Sequence, residues 1–72
     1  MRVKYYVNYS GTYENGEQFS DQVGNTFTRK KGAISFAKEF QRDKHLLRGP
    51  NNEVIAELNA WVGDEHGSMV WG

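Results

Sequence analysis

Cysteine is absent from this 72-residue chain, and proline occurs once, as Pro50. Without cysteine there are no disulfide staples, no thiol nucleophile and no cysteine-based zinc pattern. The two histidines, His45 and His66, cannot complete a zinc site without carboxylates. No apolar run approaches the ~20 residues of a membrane-spanning helix. The opening residues Met-Arg-Val-Lys-Tyr-Tyr enter a strand-like pattern at once, without the apolar stretch of a signal peptide. The cytoplasm is the compartment these two absences lead us to expect. Net charge is missing too, with nine Lys and Arg against nine Asp and Glu. No Ser/His/Asp order, paired catalytic carboxylates or phosphate-cradling glycine loop stands out. A chain this short seldom encloses a pocket, so an enzyme is not expected and no cofactor is implied.

What remains is aromatic. Four Phe, four Tyr and two Trp must supply most of the packing. The length suits one domain, residues 1–72, that buries only ~60% of the surface its unfolded chain exposes. The charge balance conceals a strong asymmetry. Arg29, Lys30, Lys31, Lys38, Arg42, Lys44 and Arg48 face only Glu39 and Asp43 within residues 29–48, a surplus of five positive charges. The residues before that run carry one excess negative charge, and those after it carry four. Such a dipolar molecule steers partners by local fields rather than by net charge.

Residues 2–9 alternate, with Val3, Tyr5, Val7 and Tyr9 on one face and Arg2, Lys4, Tyr6 and Asn8 on the other. Glu14-Asn15-Gly16-Glu17 carries the Asn-Gly signal of a two-residue type I′ hairpin. Pairing through that turn would put Phe19 and Val23 on the face opposite to Val7. One extra residue at Ser10-Gly11 repairs this, setting Val7 against Val23 and Val3 against Phe27, because a glycine inside a strand often marks a bulge. Thr28 then suits the N-cap of a helix from Arg29. Its stripe is Ala33, Phe36, Ala37 and Phe40, extending to Leu47, and Gly49-Pro50 ends it. In residues 53–62, Val54, Ala56, Leu58, Ala60 and Val62 suit a face beneath the helix, while Ile55, Glu57, Asn59 and Trp61 take the other. After a polar loop at residues 63–67, Ser68–Trp71 forms a last short strand. The expected fold is α+β: a single antiparallel sheet in ββαββ order with one helix packed across one face.

Two surfaces are candidates for binding. Arg29, Lys30 and Lys31 crowd the first helical turn, where the macrodipole disfavours cations by ~0.3–1 kcal/mol each and attracts anions. The triplet would contact phosphate or an acidic protein surface, or else be a solvated helix start. The second surface is the sheet face away from the helix, with Tyr6, Ile55 and Trp61. A five-residue final loop adds Met69 and Trp71 to that face, and a four-residue loop turns both into the core. Tyr, Ile, Trp and Met together have a typical contact composition, although they could equally supply core area to a small domain. Asp64-Glu65-His66 reads as a solvated turn rather than a metal site.

No family is recognised from the residues themselves. The order of elements resembles compact ββαβ proteins of phages and mobile elements, some of which block a host enzyme by surface contact. That likeness rests on layout alone and transfers no residue role. The expected function is a non-enzymatic protein-binding module or inhibitor, with a protein as partner. Nucleic acid, held by the basic helix and aromatics, is the alternative partner, although Glu57 and the acidic loop border those aromatics. A structural homodimer joined by the open face or a strand edge is a further alternative.

Overall fold

The computed structural model describes residues 3–72; Arg2, assigned above to the first strand, lies outside them. In chain order the elements are β1 (Tyr5–Tyr13), β2 (Gln18–Phe27), α1 (Lys30–Arg42), β3 (Ile55–Asp64) and β4 (Met69–Trp71). The strands form an antiparallel sheet ordered β2-β1-β3-β4, and α1 packs on one face of it. This is the α+β, ββαββ arrangement expected from the sequence. No helix among the described residues is long and apolar enough to cross a membrane.

Three turns of one kind link the chain segments. Tyr13 N–H donates to Glu17 O, and Gly16 N–H returns to Tyr13 O. The same pair of bonds closes Gly49–Glu53 through Asn52, and Asp64–Ser68 through Gly67. Each loop has three residues, and the last of them has positive φ: Gly16 at 93°, Asn52 at 64° and Gly67 at 84°. A type I turn followed by one left-handed residue has this form. The first hairpin is therefore not the expected two-residue type I′ turn, which would need positive φ at Asn15 as well.

That longer loop resolves the conflict which a bulge at Ser10-Gly11 was expected to repair. With Tyr13 opposite Glu17, odd-numbered residues face odd-numbered ones, so Gly11 pairs with Phe19 and Tyr9 with Asp21. Phe19 and Val23 share the face of Val7 without any extra residue at Ser10 or Gly11. The irregularity lies instead in β2, between the pairs Tyr6–Thr26 and Asn8–Gln22. Two added residues around Gly24 bend the strand there and leave the alternation intact. Phe27 consequently faces Tyr5, not Val3. Gly11 has another task. A Cβ at that position would lie 2.6 Å from Phe19 Cζ and would also strike the Glu57 carbonyl, so the missing side chain admits the Phe19 ring.

Two single-residue insertions do reverse the alternation. β1 and β3 pair regularly from Tyr5–Asp64 to Thr12–Glu57, and then Tyr13 faces Ile55, leaving Ala56 over. Ala56 and Glu57 are both exposed, while Ile55 is buried and Val54 is turned out. The expected core positions Leu58, Ala60 and Val62 are buried as read, but Val54 and Ala56 are not. In β4 the extra residue is Val70: Met69 faces Gly63, and Trp71 faces Val62.

The helix is shorter than its basic run. Arg29, not Thr28, is the N-cap, in extended conformation and without a side-chain cap bond. α1 ends at Arg42, because the next stripe positions after Phe40 are Asp43 and Lys44. A single 3₁₀ turn at Lys44–Leu46 follows. Ala33 and Ala37 are fully buried against Val7, Ala60 and Val62, and their small size lets the helix approach β1 and β3 closely. Phe36 and Phe40 flank that contact on the β2 side, with Phe36 5.3 Å from Phe27 and Phe40 5.0 Å from Tyr9 between ring centroids. On the other flank Gln41 Oε1 accepts the Ala60 N–H at 2.6 Å, and Lys44 Nζ donates to Ala56 O at 2.7 Å. Side chains of the helix and of the 3₁₀ turn after it thus cover part of the outer edge of β3 that short β4 leaves free.

Two glycine substitutions should move stability in opposite directions. Gly11→Ala should lose about 1–3 kcal/mol or more in urea denaturation, since strand and ring must shift to accept the methyl group. Gly32→Ala, in the helix with nothing nearby to meet its Cβ, should gain about 0.5 kcal/mol. Equal effects would contradict the tight contact assigned to Gly11.

Candidate functional site

The sheet face away from α1 is formed by the even-numbered residues of β1 and their partners. Asn8, Ser10 and Thr12 run beside Gln18, Ser20 and Gln22 on one side and Glu57 and Asn59 on the other. Hydroxyls and amides dominate, and Gln22 Nε2 donates to Asn8 Oδ1 at 3.0 Å. Apolar groups gather at one end only. Tyr6, Gly63 and Met69 lie in one row across three strands, and Trp61 sits in the next row opposite Asn8. Because Gly63 has no side chain, a groove of about 270 Å³ opens there, with Tyr6, Trp61 and Met69 among the groups lining it. Tyr6 and Trp61 are half-buried, whereas Met69 is 68% exposed.

Two residues expected on this face are elsewhere. Ile55 is in the core, turned inward by the extra residue Ala56. Trp71 is on the helix side, turned by Val70, with Lys38 Nζ 5.9 Å from its ring centroid as a cation–π contact. Met69 and Trp71 therefore do not share a fate, as either loop length would have required. Tyr6, Trp61 and Met69 are brought together.

Arg29, Lys30 and Lys31 are exposed at the start of α1, with no acid in its first turn. Among the described residues, none of the three makes a side-chain hydrogen bond or ion pair. The other four bases of the run are occupied. Lys38 lies over Trp71, Arg42 meets Asp43 at 3.3 Å, Lys44 holds β3, and Arg48 Nη1 donates to the carbonyls of His45 and Leu47. The triplet lies at the same end of the sheet as Tyr6, because Phe27, just before it, pairs with Tyr5. It is on the opposite face from the groove. Asp64 Oδ1 accepts the N–H groups of His66 and Ser68, so the Asp64-Glu65-His66 segment is a carboxylate-capped turn.

A second depression was not anticipated. On the helix side, Tyr9, Tyr13, Phe19, Phe40 and Leu47 line a groove of about 390 Å³, with Asp21 and Arg48 at its margins. The thirteen residues of α1 span only about 20 Å of a molecule 44 Å long, so the hairpin end of the sheet extends past the helix. Tyr9, Phe19 and Phe40 were legible as inward-facing and Tyr13 was not, since the two-residue turn would have turned it outward. Comparing helix length with strand length was the signal that would have shown the groove uncovered. Tyr13 and Phe19 stack there with centroids 4.5 Å apart. Burial, with the nearby charge of Asp21 and then Tyr13, raises the Tyr9 pKa above its ordinary 10.0.

Comparison of the chain with family models, with curated proteins and with solved structures found no match.

Because Tyr9 stays protonated longer in the folded state than in the unfolded one, its contribution to stability is complete below pH ~10 and is lost as pH rises through the folded value. Denaturation at several alkaline pH values should show stability falling above pH ~10, and Tyr9→Phe should flatten that fall. An unchanged slope in the variant would assign the alkaline loss to other groups.

Proposed function

We propose that this chain is a non-enzymatic protein-binding module that acts by surface contact, with the Tyr6–Trp61–Met69 groove as its contact site. One observation carries the reading: the strand registers gather three large apolar side chains around Gly63, on a face otherwise made mostly of hydroxyl and amide groups, with Asp64 at the groove and Glu57 farther along as its charges. Aromatic and methionine side chains with few charges, ringed by polar groups, have the composition of a protein-contact centre. Tyr6 and Trp61 are already half-buried against their neighbours, so little side-chain freedom remains to be lost on binding. Arg29, Lys30 and Lys31, without side-chain partners among the described residues, add a local positive field that favours approach of an acidic protein. Inhibition of an enzyme by covering its surface is one form such a module takes.

Affinity capture with the tagged chain tests this reading, with and without nuclease. The partner should survive nuclease treatment, and Trp61→Ala should cost ~2 kcal/mol or more of its binding energy, about thirtyfold in Kd. Lys30→Glu with Lys31→Glu should weaken binding chiefly at low salt, while leaving the fold intact and slightly more stable. Leu46→Asp, exposed on the other side, should change nothing. Binding that is lost with nuclease, falling by a log–log slope of ~0.7–0.9 per phosphate neutralised, would identify nucleic acid instead. Full binding by Trp61→Ala and Met69→Asp alike would exclude the groove.

A further inference from the structure

The sheet ends on β2 at one side and, beyond the three residues of β4, on the free part of β3 at the other, and these two edges are treated differently. Side chains from the helical segment cover β3, through Gln41 to the Ala60 N–H and Lys44 to the Ala56 carbonyl. The outer edge of the ten-residue strand β2 has no neighbouring strand among the described residues. Exposed edges are usually blunted by Lys, Pro, bulges or inward charges. Residues 18–28 contain neither Lys nor Pro, and Asp21 and the bend around Gly24 both fall in mid-strand, leaving Gln18–Ser20 and Thr26–Thr28 open on either side. The Tyr13 N–H bond to Glu17 O sets the alternation. Odd-numbered residues of β2 turn their backbone groups to β1, and Gln18, Ser20 and Thr26 turn theirs outward.

We propose that β2 is a self-complementary edge, which pairs antiparallel with β2 of a second copy about a two-fold axis beside Val23. The occupant is argued from register and charge. A ladder requires outward groups to oppose outward groups, so only every second register is open. The register centred on Val23 sets Phe19 opposite the partner copy's Phe27, Ser20 opposite its Thr26, and Glu17 opposite its Arg29. All the apolar groups then share the helix-covered face, and the exposed acid of one copy meets the exposed base of the other, twice. Moving the axis one residue toward the N-terminus sets Glu17 against Phe27 and Phe19 against Asn25. Moving it one residue the other way sets Phe19 against Arg29 and Asp21 against Phe27. Neither alternative matches charge or packs the aromatics. The bend around Gly24 falls on the axis, so the ladder consists of two equivalent segments, each pairing Gln18–Ser20 with Thr26–Thr28. Each helix lies over β1 and β3, which separates the two by about 19 Å at ~4.8 Å per strand. That exceeds the 8–10 Å of packed helices, so they do not collide. This surface is separate from the Tyr6–Trp61–Met69 groove, and either can fail without the other.

Sedimentation equilibrium of the intact chain from micromolar to millimolar concentration tests the pairing, with circular dichroism confirming that each variant is folded. The mass should rise toward twice the 8.3 kDa of the monomer. Glu17→Arg and Arg29→Glu, both exposed positions, should each weaken association at least tenfold, and the double swap should restore it to within about threefold. Ser20→Pro removes an outward N–H while sparing the bonds to β1, and should leave a folded monomer. A wild-type chain that stays monomeric at millimolar concentration would overturn the proposal. So would single swaps without effect, a double swap that fails to restore association, or association lost on Trp61→Ala instead.

Discussion

Side chains alternate along a strand, so one inserted residue exchanges the faces of everything beyond it. The composition of both surfaces of this sheet depends on where such insertions fall. The three-residue turns and the bend around Gly24 shift the pairing by even steps and keep odd-numbered residues of β1 and β2 on one face. Ala56 and Val70 are the odd steps. Ala56 sends Ile55 into the core and Val54 into solvent, and Val70 divides Met69 from Trp71. The uncluttered groove at Gly63 exists because Trp71 was removed from that face.

Much of this was legible in the residues. Alternation identified β1 and β2, the Ala33–Phe36–Ala37–Phe40 spacing identified α1, and Leu58, Ala60 and Val62 identified the inner face of β3. The failures share a physical origin. Asn-Gly favours both the two-residue and the three-residue hairpin, and the two differ by one residue, the quantity that decides facing. Gly11 and Gly24 look alike in sequence, yet one admits an aromatic ring from the neighbouring strand and the other marks a bend. Such distinctions arise from cross-strand neighbours that no local pattern contains. In the candidate groove, Tyr6 and Trp61 followed from alternation alone, whereas Met69 and Trp71 needed the position of Val70.

The basic run shows a division of labour along one segment. Four of its seven charges lie over a ring, meet a carboxylate or hold backbone carbonyls at exposed or half-exposed positions, where each contributes modestly. Arg29, Lys30 and Lys31 do none of this and oppose the helix dipole. Their cost to the helix is small beside the effect of three adjacent charges on the approach of a partner. Charge clustering in this chain is therefore informative only after the structurally engaged members have been subtracted.

The bond from the Ala60 N–H to Gln41 Oε1 gives the helix a strand's role along part of β3. In a ladder, an amide is protected by the neighbouring backbone and exchanges with solvent when the strands separate. Here the acceptor is a side chain, and it leaves when α1 lifts even if every strand stays paired. Ala60 is thus a built-in reporter of helix undocking. Its amide protection should report the free energy of parting the layers, while its neighbours bonded to β1 report the costlier opening of the sheet. One backbone hydrogen thereby separates two motions that global unfolding would merge.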